Sequence, residues 1–197
     1  MKQANLTAED WARAALDAIA QGGVAAVSIE SLARELKVTK GSFYWHFRSR
    51  KALLQAALAL WETQETDDII AMADEISDPR KRIQAVFRAA STSSRSGRLM
   101  LALAASSPDP LVAEVMARVT ERRLEFIRAC YEQLVRSPAE AKRWAAFAYS
   151  TFVGSLQLAR DNPDALPQGQ DMHEYLRLCI NTLVPRQPAL EPLRKAG

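Results

Sequence analysis

The stretch VTKGSFYWHF, residues 38–47, packs four aromatic side chains and a histidine into its last five positions, beside a lysine and a glycine. On a helix advancing 100° per residue, Phe43 and Phe47 stand one turn apart on the same side, which makes them inward anchors. Trp45 and Gly41 then point outward, flanked by Ser42 and His46 on one side and by Lys40 and Tyr44 on the other. An outward rim this aromatic normally has a partner.

The sequence on either side supplies the frame. Thr7 is placed to cap a first helix, with Asp10 three residues on, Trp11, Ala15, Ala18 and Ile19 on one face, and Gly22-Gly23 as a stop. Ser28 caps a second helix, where Ile29, Leu32, Ala33 and Leu36 fall at i, i+3, i+4 and i+7. Lys37-Val38 makes a tight connection, and Thr39 caps a third helix predicted to run to about Phe47. Two short helices so joined form a helix-turn-helix.

Further on, Ser49 caps a long helix to about Ile76, and Asp78-Pro79 starts another in the pattern of a cap followed by proline. Helix propensity falls around SSRSGR, residues 93–98, which predicts a break and then a short helix from Leu99 to about Ala105. Asp109-Pro110 opens a helix to about Val135. Ser137-Pro138 with Glu140 opens one to about Arg160. DNPDALPQGQ is a loop, Asp171 to about Leu183 is a last helix, and the proline-broken tail is expected to be flexible. There are no strand-like alternations, repeats or phosphate-cradling glycine loops. The expected class is all-α, with a helix-turn-helix domain at 1–50, a larger helical domain at 51–185 and a tail at 186–197.

Composition narrows the function. The chain has 197 residues, 48% hydrophobic and 25% charged, with a net charge of +3, values of a soluble globular protein. Residues 1–60 hold eight Lys+Arg against five Asp+Glu, whereas the remainder balances. A basic N-terminal module on a neutral body suggests a polyanion at that end. No apolar run approaches the ~18–20 residues that span a bilayer, and the first residues lack a signal pattern, so a cytoplasmic protein with no membrane partner is expected. Cys130 and Cys179 stand far apart with no CxxC, and are read as buried thiols.

DNA accounts for the rim better than its rivals do. A recognition helix enters the major groove with its N-terminal residues, where Lys40 can reach guanine acceptors or a phosphate and Ser42 can bond base edges or phosphate. Gly41, lacking a side chain, lets the backbone come close. The N-terminal N–H groups of the second and third helices favour anions, with the Ser28 and Thr39 hydroxyls beside them. Tyr44 and His46 can donate to phosphate oxygens, and Arg50 is placed to hold the flanking strand.

The segments TAEDWARAALDAIAQGG, VSIESLAREL, VTKGSFYWHF and RSRKALLQAAL carry a resemblance. Residues 7–54 resemble the DNA-binding domain of the TetR family of bacterial transcriptional regulators, whose core pattern is V-[ST]-x-G-x-[LF]-Y-x-[HY]-F. One departure is Lys37, where many members have glycine. The resemblance implies that Thr39, Lys40, Gly41, Ser42, Tyr44 and His46 act on DNA and that Ser28 and Arg50 hold phosphates. Trp45 either touches DNA or shields the helix. Tyr44 and His46 also admit a plain reading, as a packed aromatic and a helix-terminal histidine.

The resemblance further implies a body that binds a small molecule and forms a homodimer through its last two helices, here 138–160 and 171–183, on a palindromic double-stranded DNA operator. Repression relieved by the effector is the family's usual mode. Ala145, Ala148, Thr151, Gly154 and Ser155 are the candidate dimer contacts, with ordinary packing inside one chain as the alternative. Trp61, Phe87, Leu101, Met116, Phe126, Tyr149 and Phe152 could line an apolar effector cavity, although any helical bundle buries such a set. Arg95, Arg98, Arg122 and Arg123 could admit an anionic group or simply be solvated.

Two other classes compete with this reading. A ligand-independent architectural protein would have little use for so large a body. An enzyme finds little support: no Ser/His/Asp or Cys/His arrangement can be argued, and Asp171, His173 and Glu174 are too few for a metal site without a second cluster. No catalytic residue, metal or cofactor is expected.

Overall fold

The computed structural model describes residues 6–91 and 94–185, all helix, turn and loop with no strand among them. The expected all-α class is what it has; the tail at 186–197 lies outside the described residues.

Helix α1, Ala8–Gly22, begins with a reciprocal cap. The Asp10 N–H donates to Thr7 Oγ1 at 3.2 Å, and the Thr7 N–H donates to the Asp10 carboxylate at 2.7 Å. The bonds to Thr7 hold the Asp10 carboxyl below its ordinary pKa. The helix stops at Gly23, whose φ of 73° is one that a side chain would resist. Helix α2, Ile29–Glu35, is capped by Ser28, whose hydroxyl accepts from the Ser31 N–H at 3.3 Å. Between α2 and α3 the chain reverses at Lys37, the one described non-glycine residue with positive φ, at 57°. Its position is where glycine was expected from the resemblance, and the left-handed backbone explains why.

The third helix is shorter than the periodicity predicts. Only Lys40–Phe43 is α-helical (α3). Beyond it the chain tightens: Tyr44, Trp45 and His46 donate to the carbonyls three residues back, at 3.2, 3.4 and 2.9 Å, the 3₁₀ pattern common at helix ends. Thr39 occupies the cap position but its side chain makes no cap bond. Phe43 and Phe47 are buried as expected, at 0% and 8% exposure. The Phe43 ring meets Trp11 edge-on at 5.3 Å and Phe47 at 5.7 Å.

Helix α4, Arg50–Glu62, is capped by the Ser49 hydroxyl at 3.1 Å from the Ala52 N–H. It runs into a π-helical turn, Thr63–Asp67, and on into α5, Asp68–Asp74. The periodicity gave no hint of the π turn. Helix α6 is Pro79–Ser91 and α7 is Ser94–Ala105. Thus α7 begins five residues before the expected start at Leu99: burial of Gly97, Leu99 and Met100 outweighs the weak propensity of its serines and glycine. Helices α8, Pro110–Glu132, α9, Pro138–Asp161, and α10, Gln170–Thr182, complete the body. Asp109 and Ser137 cap α8 and α9 ahead of proline, as read from the sequence.

Two apolar cores hold these helices. The first joins Trp11, Leu16 and Phe43 of the N-terminal helices to Leu54, Leu58 and Trp61 of α4, Leu103 of α7 and Val115 of α8. It runs straight through the expected boundary at residue 50, so the N-terminal helices and the nearer half of the body share one interior. The second gathers Ile83, Phe87, Ile127, Tyr131, Ala145 and Ile180 at the far end. There the Tyr131 hydroxyl, fully buried, donates to the Leu183 carbonyl at 2.7 Å and closes the end of α10 onto α8.

Candidate nucleic-acid interface and effector cavity

The rim foreseen on residues 39–46 is on the surface. Thr39, Lys40 and Gly41 are exposed and Ser42 is half-buried. Tyr44 is 56% and Trp45 88% exposed, the latter the most exposed large apolar side chain described. Tyr44 also leans edge-on against Phe43 at 5.2 Å, so packing and exposure are combined in one residue. His46 is half-buried at the end of the turn.

Gly41 is informative because nothing inside the chain requires it. A Cβ added there would meet no atom nearer than Thr39 Oγ1 at 3.7 Å, an ordinary contact. Glycine inside a helix costs roughly 0.5–1 kcal/mol against alanine. The chain accepts that cost without an internal steric reason, which points to close approach from outside.

Lys40 does not wait free. Its ammonium bonds the Glu30 carboxylate and ties the start of α3 to the start of α2. The hydrogen bond and charge of Lys40 hold the Glu30 carboxyl below its ordinary value, and Glu30 in turn raises Lys40. Ser28 also donates to Glu30, at 3.3 Å. Arg50 was expected to reach outward, but its guanidinium turns back. Nε donates to the Val27 carbonyl at 2.7 Å and Nη2 to the Val24 carbonyl at 2.5 Å. The start of α4 is thereby fastened to the segment between α1 and α2, a structural role the sequence reading missed because it depends on residues 23 and 26 positions away.

In the body, a cavity of about 50 Å³ lies between α4, α6, α7, α8 and α9. Five of the seven expected side chains line it: Trp61, Phe87, Phe126, Tyr149 and Phe152. The other two do not. Leu101 is buried at 6% exposure but points further round α7 than Ser96, Gly97 and Met100, which do face the cavity. Met116 instead lines a wide groove between α8 and α9.

The cavity has a polar corner. The π turn presents Thr66, buried at 1% exposure. Arg123 of α8 donates from Nε to Thr66 Oγ1 and from Nη2 to the Glu65 carbonyl, both at 2.9 Å, and its guanidinium lies over the Trp61 ring at 5.4 Å. Ser96 donates to the Glu65 carboxylate at 2.6 Å. Two of the other candidate arginines have acidic partners instead: Arg95 pairs with Asp17 at 2.6 Å and Arg122 with Asp67 at 3.0 Å.

The candidate dimer contacts divide. Ala145 and Ala148 are buried at 2% and 0% inside the second core. Their side chains are already covered within the chain, on the side of α9 that packs against α8. Thr151 and Ser155 turn their hydroxyls back to the carbonyls of Phe147 and Thr151, and a Cβ at Gly154 would meet nothing within 4 Å. The sequence reading passed over Phe147 and Leu158 of α9 and Leu178 of α10, which are 51%, 40% and 64% exposed. With Thr151 and Gly154, Phe147 and Leu158 follow i, i+4, i+7, i+11 spacing along one face.

Among the described residues no three His, Cys, Asp or Glu come together to hold a metal, Asp171, His173 and Glu174 included. None of the described helices is long and apolar enough to cross a membrane.

Comparison with known proteins adds to this geometry. Residues 12–57 match the family model for bacterial regulatory proteins of the tetR family. The HTH-type transcriptional regulator BetI of Proteus mirabilis is 27% identical over 185 residues, 89% of this chain and 92% of that protein. The HTH-type transcriptional regulator TtgR of Pseudomonas putida is 27% identical over 149 residues, 72% and 69% of the two chains. A crystal structure of a TetR transcriptional regulator from Legionella pneumophila superposes with a TM-score of 0.74 at 21% identity, covering 94% of this chain and 100% of that one. At that identity the likeness speaks for the fold.

Proposed function

We propose that this chain, which belongs to the TetR family of bacterial transcriptional regulators, is a repressor that binds a palindromic operator as a homodimer and releases it when a small, largely apolar effector fills the cavity beside Trp61. The observation that carries the DNA reading is the outward turn of Lys40, Gly41, Ser42 and Trp45, with a glycine that nothing in the chain demands. Lys40 and Ser42 read base edges; Thr39, Tyr44, His46 and the Ser28 hydroxyl position phosphates. Arg50 serves chiefly by fixing where the head sits on α4.

The dimer is best supported by Phe147, Thr151, Gly154 and Leu158 on α9 with Leu178 on α10, an exposed apolar strip that a second copy would cover. A two-fold pair sets its recognition helices one DNA turn apart, about 34–36 Å, or a multiple of it.

Release follows from volume. A space of about 50 Å³ has room for a few water molecules, far below the roughly 300–1,000 Å³ of a pocket for a drug-sized ligand. An effector therefore binds a more open state of the body in preference to this one. Opening pushes on Trp61, hence on α4, whose other end is fastened by Arg50 to the DNA-binding helices. The differential affinity for the two states is the coupling.

The test is selection of bound duplexes from a random pool, followed by binding to the enriched sequence over a range of salt. An inverted repeat should emerge, with affinity falling steeply with salt. Lys40→Ala should change which bases are preferred. Recovery of no common sequence, or of one unpaired half-site, would sink the reading.

A further inference from the structure

We infer that the effector carries an anionic group, a carboxylate or its equivalent, and that Arg123 is its receptor. This rests on the cavity being the effector site. Arg123 lies at the polar corner of a mostly apolar cavity, beside Glu65, Thr66 and Ser96, and its partners are a hydroxyl, a carbonyl, a thioether and an indole face. None of these is a carboxylate: the Glu65 carboxylate lines the same cavity but is bonded by Ser96, so the half-buried Arg123 guanidinium has no direct ion-pair partner among the described residues. Such a charge is costly unless a ligand supplies the partner.

The edge on which that partner would sit is identifiable. Nε and one N–H of Nη2 are committed to Thr66 Oγ1 and the Glu65 carbonyl at 2.9 Å. Nη1 has only the Met100 sulfur at 3.5 Å, a weak acceptor. The Nη1 edge of the fork is therefore free to take a planar anion in place of the thioether, with two parallel charge-assisted bonds. Met100 is unbranched and adapts readily to being displaced.

Glu65 lines the same cavity, with a carboxylate oxygen bonded by Ser96 at 2.6 Å. The Glu65 carboxylate restricts the rest of the ligand to neutral or hydrogen-donating groups on its side, and leaves the anion to the Nη1 edge of Arg123.

Arg123 also holds the π turn, through Thr66 and the Glu65 carbonyl. An anion drawing the guanidinium towards itself loosens that hold, and the turn leads directly into α4. Recognition and transmission then share one side chain.

Calorimetric titration with benzoate and 1-naphthoate, each against its neutral amide, tests the assignment on the full chain. The wild type should prefer each acid it binds by at least about tenfold. Arg123→Met should abolish the preference for each acid over its own amide, and Arg123→Lys should keep part of it, with circular-dichroism melts verifying that each variant is folded. Equal or tighter binding of the amides by the wild type, no heat from either acid, or a preference that survives in Arg123→Met would overturn it. Operator binding measured on the same samples without ligand separates the readings: its loss in the wild type refutes the DNA assignment and leaves the anion result standing.

Discussion

Lys40, proposed above to read a base, is bonded to the carboxylate of Glu30 one helix away. On the proposed reading, operator binding exchanges this ion pair for DNA and brings the Glu30 charge towards the phosphates. Glu30→Gln should tighten operator binding several-fold at low salt, with the gain shrinking as salt rises. Weaker binding by Glu30→Gln in a gel-shift series would show that the pair orients Lys40 rather than restrains it. The pH behaviour has a defined sign. Lys40 depresses the Glu30 carboxyl below its ordinary 4.5, so the pair is intact above that value and is lost only as the pH falls through the still lower folded value. Between about pH 6 and 8 it should contribute no pH dependence.

Lys37 holds a φ of 57° at the reversal between α2 and α3. A left-handed backbone strains a side-chain-bearing residue by about 1–2 kcal/mol, and glycine recovers part of that after its greater flexibility in the unfolded chain is counted. Lys37→Gly should raise the urea midpoint by the equivalent of about 0.5–1 kcal/mol, and Lys37→Val should lower it. A fall in the midpoint with glycine would mean that the lysine side chain contributes more than the strain removes.

Arg50→Ala removes both bonds to the Val24 and Val27 carbonyls. Hydrogen bonds to charged groups contribute about 1.5–3 kcal/mol each, reduced here by partial solvent exposure. We expect a loss of about 1–3 kcal/mol in stability together with weaker operator binding, as the head loses its fixed position on α4. Unchanged thermal stability with only a shallower salt slope would assign Arg50 to phosphate alone.

At the far end, Tyr131→Phe leaves the buried Leu183 carbonyl without its donor, and should cost about 1–2 kcal/mol in denaturant unfolding. Its neighbour Cys130 is buried at 1% exposure, and burial pushes its thiol up to about 11. Iodoacetamide at neutral pH should leave Cys130 unmodified until the chain is unfolded. Rapid labelling of the folded protein at Cys130, located by peptide mass mapping, would indicate opening of the second core.

Most of the helix caps, which depend on a few neighbouring residues, were legible in the sequence, although Thr39 makes no cap bond and α3 ends earlier than its periodicity predicts. Thr7, Ser28, Ser49, Asp109 and Ser137 cap the helices expected of them, because a cap is a bond to a residue two or three positions on. The inward placing of Phe43 and Phe47 is legible for the same reason, since both lie within one turn. The shortfalls are tertiary. Arg50 finds carbonyls far back in the chain, Ala145 and Ala148 are buried within their own chain against α8, and Met116 looks onto a groove rather than the cavity. Periodicity says which side of a helix is apolar, not which neighbour covers it. In the sequence Arg123 stands level with three other arginines, with no means of choosing among them; only the fold sets it apart, by placing it in the cavity with no carboxylate oxygen among its acceptors.

The π turn at Thr63–Asp67 alters how residues may be counted along this helix. Buried positions before it follow Leu54, Leu58 and Trp61, and after it Thr66 and Ala73, so the step from Trp61 to Thr66 is one longer than the usual four. Each residue turns a regular helix by about 100°, and the wide turn absorbs one such increment. A one-residue deletion inside the turn would therefore restore regular winding and keep both flanking faces inward. The same deletion within α4 itself would rotate everything beyond it out of phase. The helix thus contains one place where its length can change by a residue without a change of orientation, and that place borders the cavity.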